Sequence, residues 1–280
     1  MRKSFYGLFF IVLSLCGLRL APTAPLILKP DHVVIVVEEN HAFKQIIGNK
    51  KEASFMNVLA EQGAIFTKYH GIRHPSQPNY LVLFSGSTQG VTNDRCPASG
   101  APFTTPNLAS QLAARGLTFV AYAEDLPSPG FVGNTSGTYV RRHAPWANWN
   151  DAAKLARPFS AFPTDYSKLP TVSFVIPGVN EDMHDGSITD GDAWLKNHLS
   201  GYIEWARTHN SLLIVTYDED NWFHGNHIPT LFVGPMVKPG QYSEPVNHYN
   251  LFQTLAEMYG LPGMADGKTS AIVDIWNFGG

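Results

Sequence analysis

The chain is 280 residues long, 44% hydrophobic and 15% charged, with a formal net charge of −3. This length supports one large α/β domain with a covered core, and this composition excludes a disordered chain. No basic block interrupts the sequence, so a nucleic-acid partner is excluded as well.

The first two dozen residues stand apart. Arg2 and Lys3 precede an apolar run from Phe5 to about Leu18, with Ala21, Pro22 and Ala24 beyond it. A basic start, an apolar middle and small residues after it describe a cleavable signal peptide over residues 1–24. An N-terminal membrane anchor is the alternative, for which the run is short. No later segment is apolar enough to be a transmembrane span, so none is expected in the mature chain. Without the leader, Cys96 is the last cysteine, and a single thiol makes no internal disulfide.

Along the body, short β-branched runs alternate with helical patterns. Val33–Val37 is continuously apolar, as a strand buried on both faces should be. Helical spacing follows over Ser54–Gln62 and Asn107–Arg115, then a strand over Thr118–Tyr122. The stretch Pro127–Pro170, rich in Pro, Gly, Ser and aromatics, reads as a long excursion. Val172–Ile176 predicts a strand, Asp190–Arg207 a helix, Leu212–Tyr217 and Thr230–Val233 strands, and Tyr249–Tyr259 a last helix. Gly63, Gly116 and Gly260 stand where glycine caps would close three of the helices. Alternating strands and helices predict a mostly parallel sheet covered on both faces.

In such sheets ligands gather at the carboxyl ends of the strands. Two predicted strands end in acids, Glu38-Glu39-Asn40-His41 and Asp218-Glu219-Asp220. Carboxylates crowded past buried strands repel one another unless a cation sits among them. Oxygen ligands of this kind suit a divalent metal ion: Mg, Ca or Mn, or, with histidine added, Zn or Fe. Surface loop acids would look the same in either cluster alone, but not so readily in both. Ser76, in Arg73-His74-Pro75-Ser76-Gln77-Pro78-Asn79-Tyr80, lies at a predicted helix start, where free amides and the helix dipole favour an anion. It is either an ordinary N-cap or a nucleophile activated by a metal. His184, in Asp182-Met183-His184-Asp185-Gly186-Ser187, follows another strand end, where a histidine could protonate a leaving alcohol or hold a phosphoryl oxygen. His227 and His248 are further candidates.

These four motifs, in this order, resemble the phosphoesterase family, which joins bacterial phospholipases C with acid phosphatases in the alkaline phosphatase superfamily. The similarity runs from about His32 to Trp276 and includes Tyr122–Pro127, Arg142–Trp146 and Pro158–Pro163. The resemblance implies a three-layer α/β/α sandwich with a mostly parallel central sheet, alkaline phosphatase-like, in a single phosphoesterase domain over 25–280. It implies Ser76 and His184 as catalytic residues, Glu39, Asn40, Asp218 and Glu219 as metal ligands, and His74 and His248 as substrate-binding. The implied activity is a secreted or periplasmic, metal-dependent acid phosphatase. Its substrates would be small-molecule or lipid phosphate esters, including phosphoinositides such as phosphatidylinositol 3-phosphate. A phospholipase C-like phosphodiesterase and a noncatalytic metal- or phosphate-binding module are the other readings. The stretch Asn221–His227 departs from the family pattern, adding two histidines and two aromatics beside the acidic cluster.

Overall fold

The computed structural model describes Met1, residues 27–263 and residues 269–278; the expected leader lies outside them, apart from Met1. Eight strands form the main sheet: β1 (His32–Glu38), β2 (Ala64–Phe66), β3 (Phe119–Ala123), β4 (Ala156–Pro158), β5 (Val172–Ile176), β6 (Ser211–Tyr217), β7 (Thr230–Val233) and β8 (Gly240–Tyr242). Their spatial order is β8-β2-β7-β6-β1-β5-β3-β4. Only β7 runs against its neighbours, pairing antiparallel with both β6 and β2, so the sheet is mostly parallel.

β1 lies between β5 and β6, and Val33–Val37 have no exposed surface. Five helices of six or more residues cover the sheet: α1 (Ser54–Gln62), α2 (Ser76–Ser85), α3 (Leu108–Ala113), α4 (Ile188–Ala206) and α5 (His248–Tyr259). α1 packs with α4, and α2 with α5. Side chains alternate along a strand, and the end of β1 shows which helices lie on which side. Tyr217, in register with Glu38 on the adjacent parallel strand, lays its hydroxyl 3.3 Å from Met56 Sδ on α1, whereas Glu39, one residue further along the chain, reaches Ser76 on α2. The two helix pairs therefore cover opposite faces, as a three-layer α/β/α sandwich requires.

The long strands and helices match their expected spans to within two residues at each end. Three short strands, β2, β4 and β8, carry too few residues for any periodicity to show. β4 lies inside the Pro127–Pro170 excursion, which thereby supplies an edge strand. Gly63 also differs from expectation. Its backbone is extended, with φ −127°, so it is not a left-handed cap. An added Cβ would lie 2.2 Å from the carbonyl oxygen of Phe232, so the glycine admits the backbone of β7. Gly260 does close α5 in the left-handed region, with φ 62°.

α5 also fixes the end of β6. His248, at its first turn, is completely buried, and its Nε2 donates to the carbonyl oxygen of Asp218 at 2.6 Å. Its Nδ1 meets the Tyr69 hydroxyl at 3.2 Å. With Nε2 donating, Nδ1 accepts from tyrosine, which needs the neutral imidazole. Burial lowers its pKa to about 4.

The sign of the pH effect follows. An unfolded His248 takes up a proton as pH falls through about 6.5, whereas the folded one resists until about 4. Its contribution to stability is complete above pH 6.5 and is lost as pH falls from there toward 4, on the order of 3 kcal/mol at about 1.4 kcal/mol per pH unit. Urea unfolding at pH 7 and pH 4.5 should show a smaller stability loss in His248→Gln than in the native chain. Equal losses would remove His248 from the account.

Candidate active site

The site is assembled at the carboxyl end of the sheet from five segments: the end of β1, the start of α2, the turn before the excursion's second half, the loop after β5, and the end of β6. Ser76 is the first residue of α2 and is 2% exposed. Its Oγ lies 3.1 Å from Glu39 Oε2 and 3.4 Å from Glu219 Oε1, so the hydroxyl faces two carboxylates from two neighbouring parallel strands. Asn79, one turn further along α2, donates from Nδ2 to Glu219 Oε2 at 3.2 Å. The same side chain accepts from the Ile72 and Arg73 amides at 2.8 and 3.2 Å, which fixes the strand-to-helix turn carrying His74.

The helix start offers fewer amides than expected. Gln77 N already donates to Asp94 Oδ1 at 2.8 Å, and Pro78 has no N–H. Of the first three helical positions only Ser76 retains an amide for an incoming anion. Positive charge must then come from side chains or a bound cation.

Asp218 is fully buried, and neither carboxyl oxygen has a hydrogen-bond partner among the described residues. Burial, followed by the charges of Glu39 and Glu219, pushes its pKa well above the ordinary carboxylate range. Burial and then Glu39 likewise push Glu219 to about 9. Burial would raise Glu39 too, but the charge and hydrogen bond of His143 outweigh it and hold Glu39 below its ordinary value. The cluster is thus short of positive charge, and a cation would relieve it. Among the described residues no three His, Cys, Asp or Glu form a ready metal cage. The orphaned Asp218 oxygens, with Glu39 and Glu219 beside them, nevertheless fit a hard divalent ion.

The histidines divide by environment. His143 is buried between Glu39 Oε1 at 2.9 Å and Asp182 Oδ2 at 3.1 Å. Burial disfavours its charge, yet the two carboxylates prevail and raise its pKa to about 9. Tyr80 of α2 stacks on its ring, with centroids 5.1 Å apart. His74 bridges Glu219 Oε2 and Asp220 Oδ1, each at 3.0 Å. His184 sits nearer the surface, its Nδ1 2.7 Å from Asp185 and its ring 5.8 Å from that of His143.

The structure therefore brings Ser76, Glu39, Asp218, Glu219, His74 and His184 to one end of the sheet. Asn40 follows Glu39 and is half-buried, with no side-chain hydrogen bond among the described residues. His248, expected to touch substrate, has no exposed surface and stands behind Asp218, where it holds the backbone. His227 is sandwiched between Phe43 and His70, at centroid distances of 4.7 and 5.2 Å. Three members carried no role in the sequence reading: His143, Asp182 and Asn79. His143 lies within Arg142–Trp146, part of the family pattern, and that motif was the available signal.

The phosphoesterase family model matches residues 49–262. A phosphatidylinositol-3-phosphatase of Mycobacterium tuberculosis is 51% identical over 249 residues, covering 88% of this chain and 82% of that protein. An acid phosphatase of Aspergillus fumigatus is 29% identical over 230 residues, covering 75% of this chain but only 51% of that protein. The chain thus spans about half the length of this fungal relative. Among solved structures, an alkaline phosphatase superfamily protein of Vibrio parahaemolyticus superposes with a TM-score of 0.59 at 15% identity, over 85% of this chain and 68% of that one. That likeness is one of fold. The chain belongs to the phosphoesterase family, and it is a hydrolase of phosphoric esters.

Proposed function

We propose that the chain is an exported, metal-dependent phosphate monoesterase of the acid phosphatase type, a single catalytic domain over residues 25–280 with Ser76 as nucleophile. The observation that carries this reading is the Ser76 hydroxyl, set 3.1 Å from Glu39 and 3.4 Å from Glu219 beside the unpartnered Asp218 carboxyl. The relative of 51% identity named as a phosphatidylinositol-3-phosphatase supports lipid-borne monoesters, including phosphoinositides, among the substrates. Export rests on the apolar leader read from residues 1–24, an N-terminal anchor being the alternative.

Glu39, Asn40, Asp218 and Glu219 would hold the metal ion, of the Mg, Ca, Mn, Zn or Fe class. Such an ion supplies charge neutralisation for phosphoryl oxygens and lowers the serine hydroxyl pKa. Ser76 Oγ attacks phosphorus in line, its proton leaving along one of the two carboxylate contacts. The bond from serine oxygen to phosphorus forms as the ester P–O bond breaks. His184, the more exposed histidine, protonates the departing alcohol. Water then cleaves the phosphoserine, releasing phosphate and restoring the hydroxyl. His74 orders Glu219 and Asp220 and contacts the substrate phosphate. His143 keeps Glu39 ionised and aimed at Ser76.

Ser76→Ala should lower kcat on p-nitrophenyl phosphate by about three orders of magnitude or more, and undiminished turnover would transfer the attack to water. Turnover of bis-p-nitrophenyl phosphate without the monoester would instead mark a phosphodiesterase. For the ion, the purified chain should carry a divalent metal by elemental analysis, and Asp218→Asn should lose it together with activity; a metal-free active enzyme refutes that part. His143→Ala leaves Glu39 and Asp182 buried without their shared cation. It should cost about 3–5 kcal/mol in urea unfolding, and a loss below 1 kcal/mol would contradict the charged state assigned to the ring.

A further inference from the structure

Past Asp220 the chain departs from the family pattern and does something costly. Trp222 and Phe223 are 61% and 84% exposed. They are the only adjacent pair of large apolar side chains so exposed among the described residues. Trp222 also sits at φ 77°, in the left-handed region that a bulky residue avoids. Both features are held in place by a buried group. The Asp220 carboxylate, with no exposed surface, accepts from the amides of Trp222 at 2.6 Å, His224 at 2.9 Å and Asn226 at 2.8 Å. The far end of the loop is clamped as well. Gly71 N donates to Asn226 O at 2.9 Å, and a Cβ on Gly71 would meet the Asn226 side chain at 2.8 Å. A loop with fixed ends and a strained residue at its tip is shaped to present its aromatic rings.

The Trp222 ring stands at the mouth of the active site. Trp222 stacks on His74, with ring centroids 4.2 Å apart, and His74 itself contacts Glu219 and Asp220. Basic residues lie in the segments next to this loop and its partners. Arg73 precedes His74, Arg95 follows the Asp94 that caps α2, and Lys44 shares a cavity of about 190 Å³ with His224 and His227. All three cations are exposed, and none has a carboxylate partner among the described residues. Asp94 accepts from the Gln77 amide, and Asp185 lies 2.7 Å from His184. In a chain of net charge −3, these three unpaired cations stand out.

We propose that the loop over residues 221–226 is a membrane-docking surface, with Trp222 and Phe223 entering the headgroup region of an anionic bilayer beneath a rim of Lys44, Arg73 and Arg95. Aromatic rings settle at the boundary between water and hydrocarbon, and basic residues beside them add attraction to anionic lipid. Through His74, the docked tryptophan is coupled to the catalytic carboxylates, so the site opens at the depth of a lipid phosphate. The role in catalysis rests on the monoesterase reading; the docking does not, and the two are measured separately.

The probe is a mixed phosphatidylcholine–phosphatidylserine vesicle carrying a spin label at headgroup depth. The emission of Trp222 is isolated as the difference between the full chain and its Trp222→Phe variant. Quenching of that difference signal is expected, and it should weaken as salt screens the basic rim. This readout is local to the loop, so binding by the apolar N-terminal run cannot imitate it. Phe223→Asp should reduce turnover of a vesicle-borne phosphate monoester about tenfold, the size expected when one phenyl ring no longer enters apolar surroundings. Its turnover of p-nitrophenyl phosphate should be unchanged. An unquenched Trp222 signal overturns the proposal, as does equal quenching on pure phosphatidylcholine. A Trp222 emission shift that depends on protein concentration and not on lipid would assign the loop to a second copy of the chain and overturn it equally. A native chain inactive on p-nitrophenyl phosphate would count against the esterase reading alone, because the quenching is read without turnover.

Discussion

The rest of the site depends on one electrostatic constraint: Glu39, Asp218 and Glu219 are buried together at the ends of two adjacent parallel strands, with Glu39 and Glu219 facing one serine hydroxyl. Three carboxylates in that space cannot all ionise without a countercharge. Among the described residues, the buried histidine held as a cation is His143, and it pairs with Glu39 and Asp182. Asp218 is left with two oxygens that no described residue satisfies. A cluster arranged in this way is unstable as a fully ionised set, and a cation entering from outside would relieve it.

The fold makes the crowding unavoidable. β1 and β6 are adjacent and parallel, with Glu38 in register with Tyr217. Residues just past the two ends must therefore come together. The strands themselves are fully buried, so their direction and depth are fixed by packing and not by the acids at their tips. The backbone ties the ends down further. Glu39 N donates to Asp182 O at 2.7 Å, and Asp218 N to Glu38 O at 3.1 Å. The hydrophobic core thus holds the repulsive cluster in place, and relaxing it would mean moving the centre of the sheet.

This arrangement explains which parts were legible in the sequence. β1, β5 and β6 announce themselves because a strand buried on both faces must be continuously apolar. The acids at the ends of β1 and β6 stand out because they break that rule. His143 did not stand out. It lies in an irregular stretch of short helical turns, and it acquires its role from Glu39 and Asp182, more than 35 residues away in each direction. The free amides expected at the start of α2 were misjudged for a related reason. The local pattern correctly placed a helix start at Ser76, but Asp94, on a separate loop, takes the Gln77 amide. Patterns within one segment reveal elements, whereas the state of a group in the site is set by what other segments bring to it.

The two buried histidines make the point in physical terms. His143 and His248 are both essentially without exposed surface, and burial disfavours the charged form of each. His143 faces two carboxylates, and their field outweighs the lost hydration, so the ring is a cation. His248 faces a carbonyl oxygen and a tyrosine hydroxyl, which are dipoles and not charges, and the ring stays neutral. The first can therefore balance Glu39, while the second can only orient Asp218 and adds no charge beside it. Were both cationic, the cluster would be nearer to neutral and would attract an external cation less strongly. The neutrality of His248 is thus as much a part of the site as the charge of His143, because it preserves the electrostatic deficit of the buried Asp218 carboxyl.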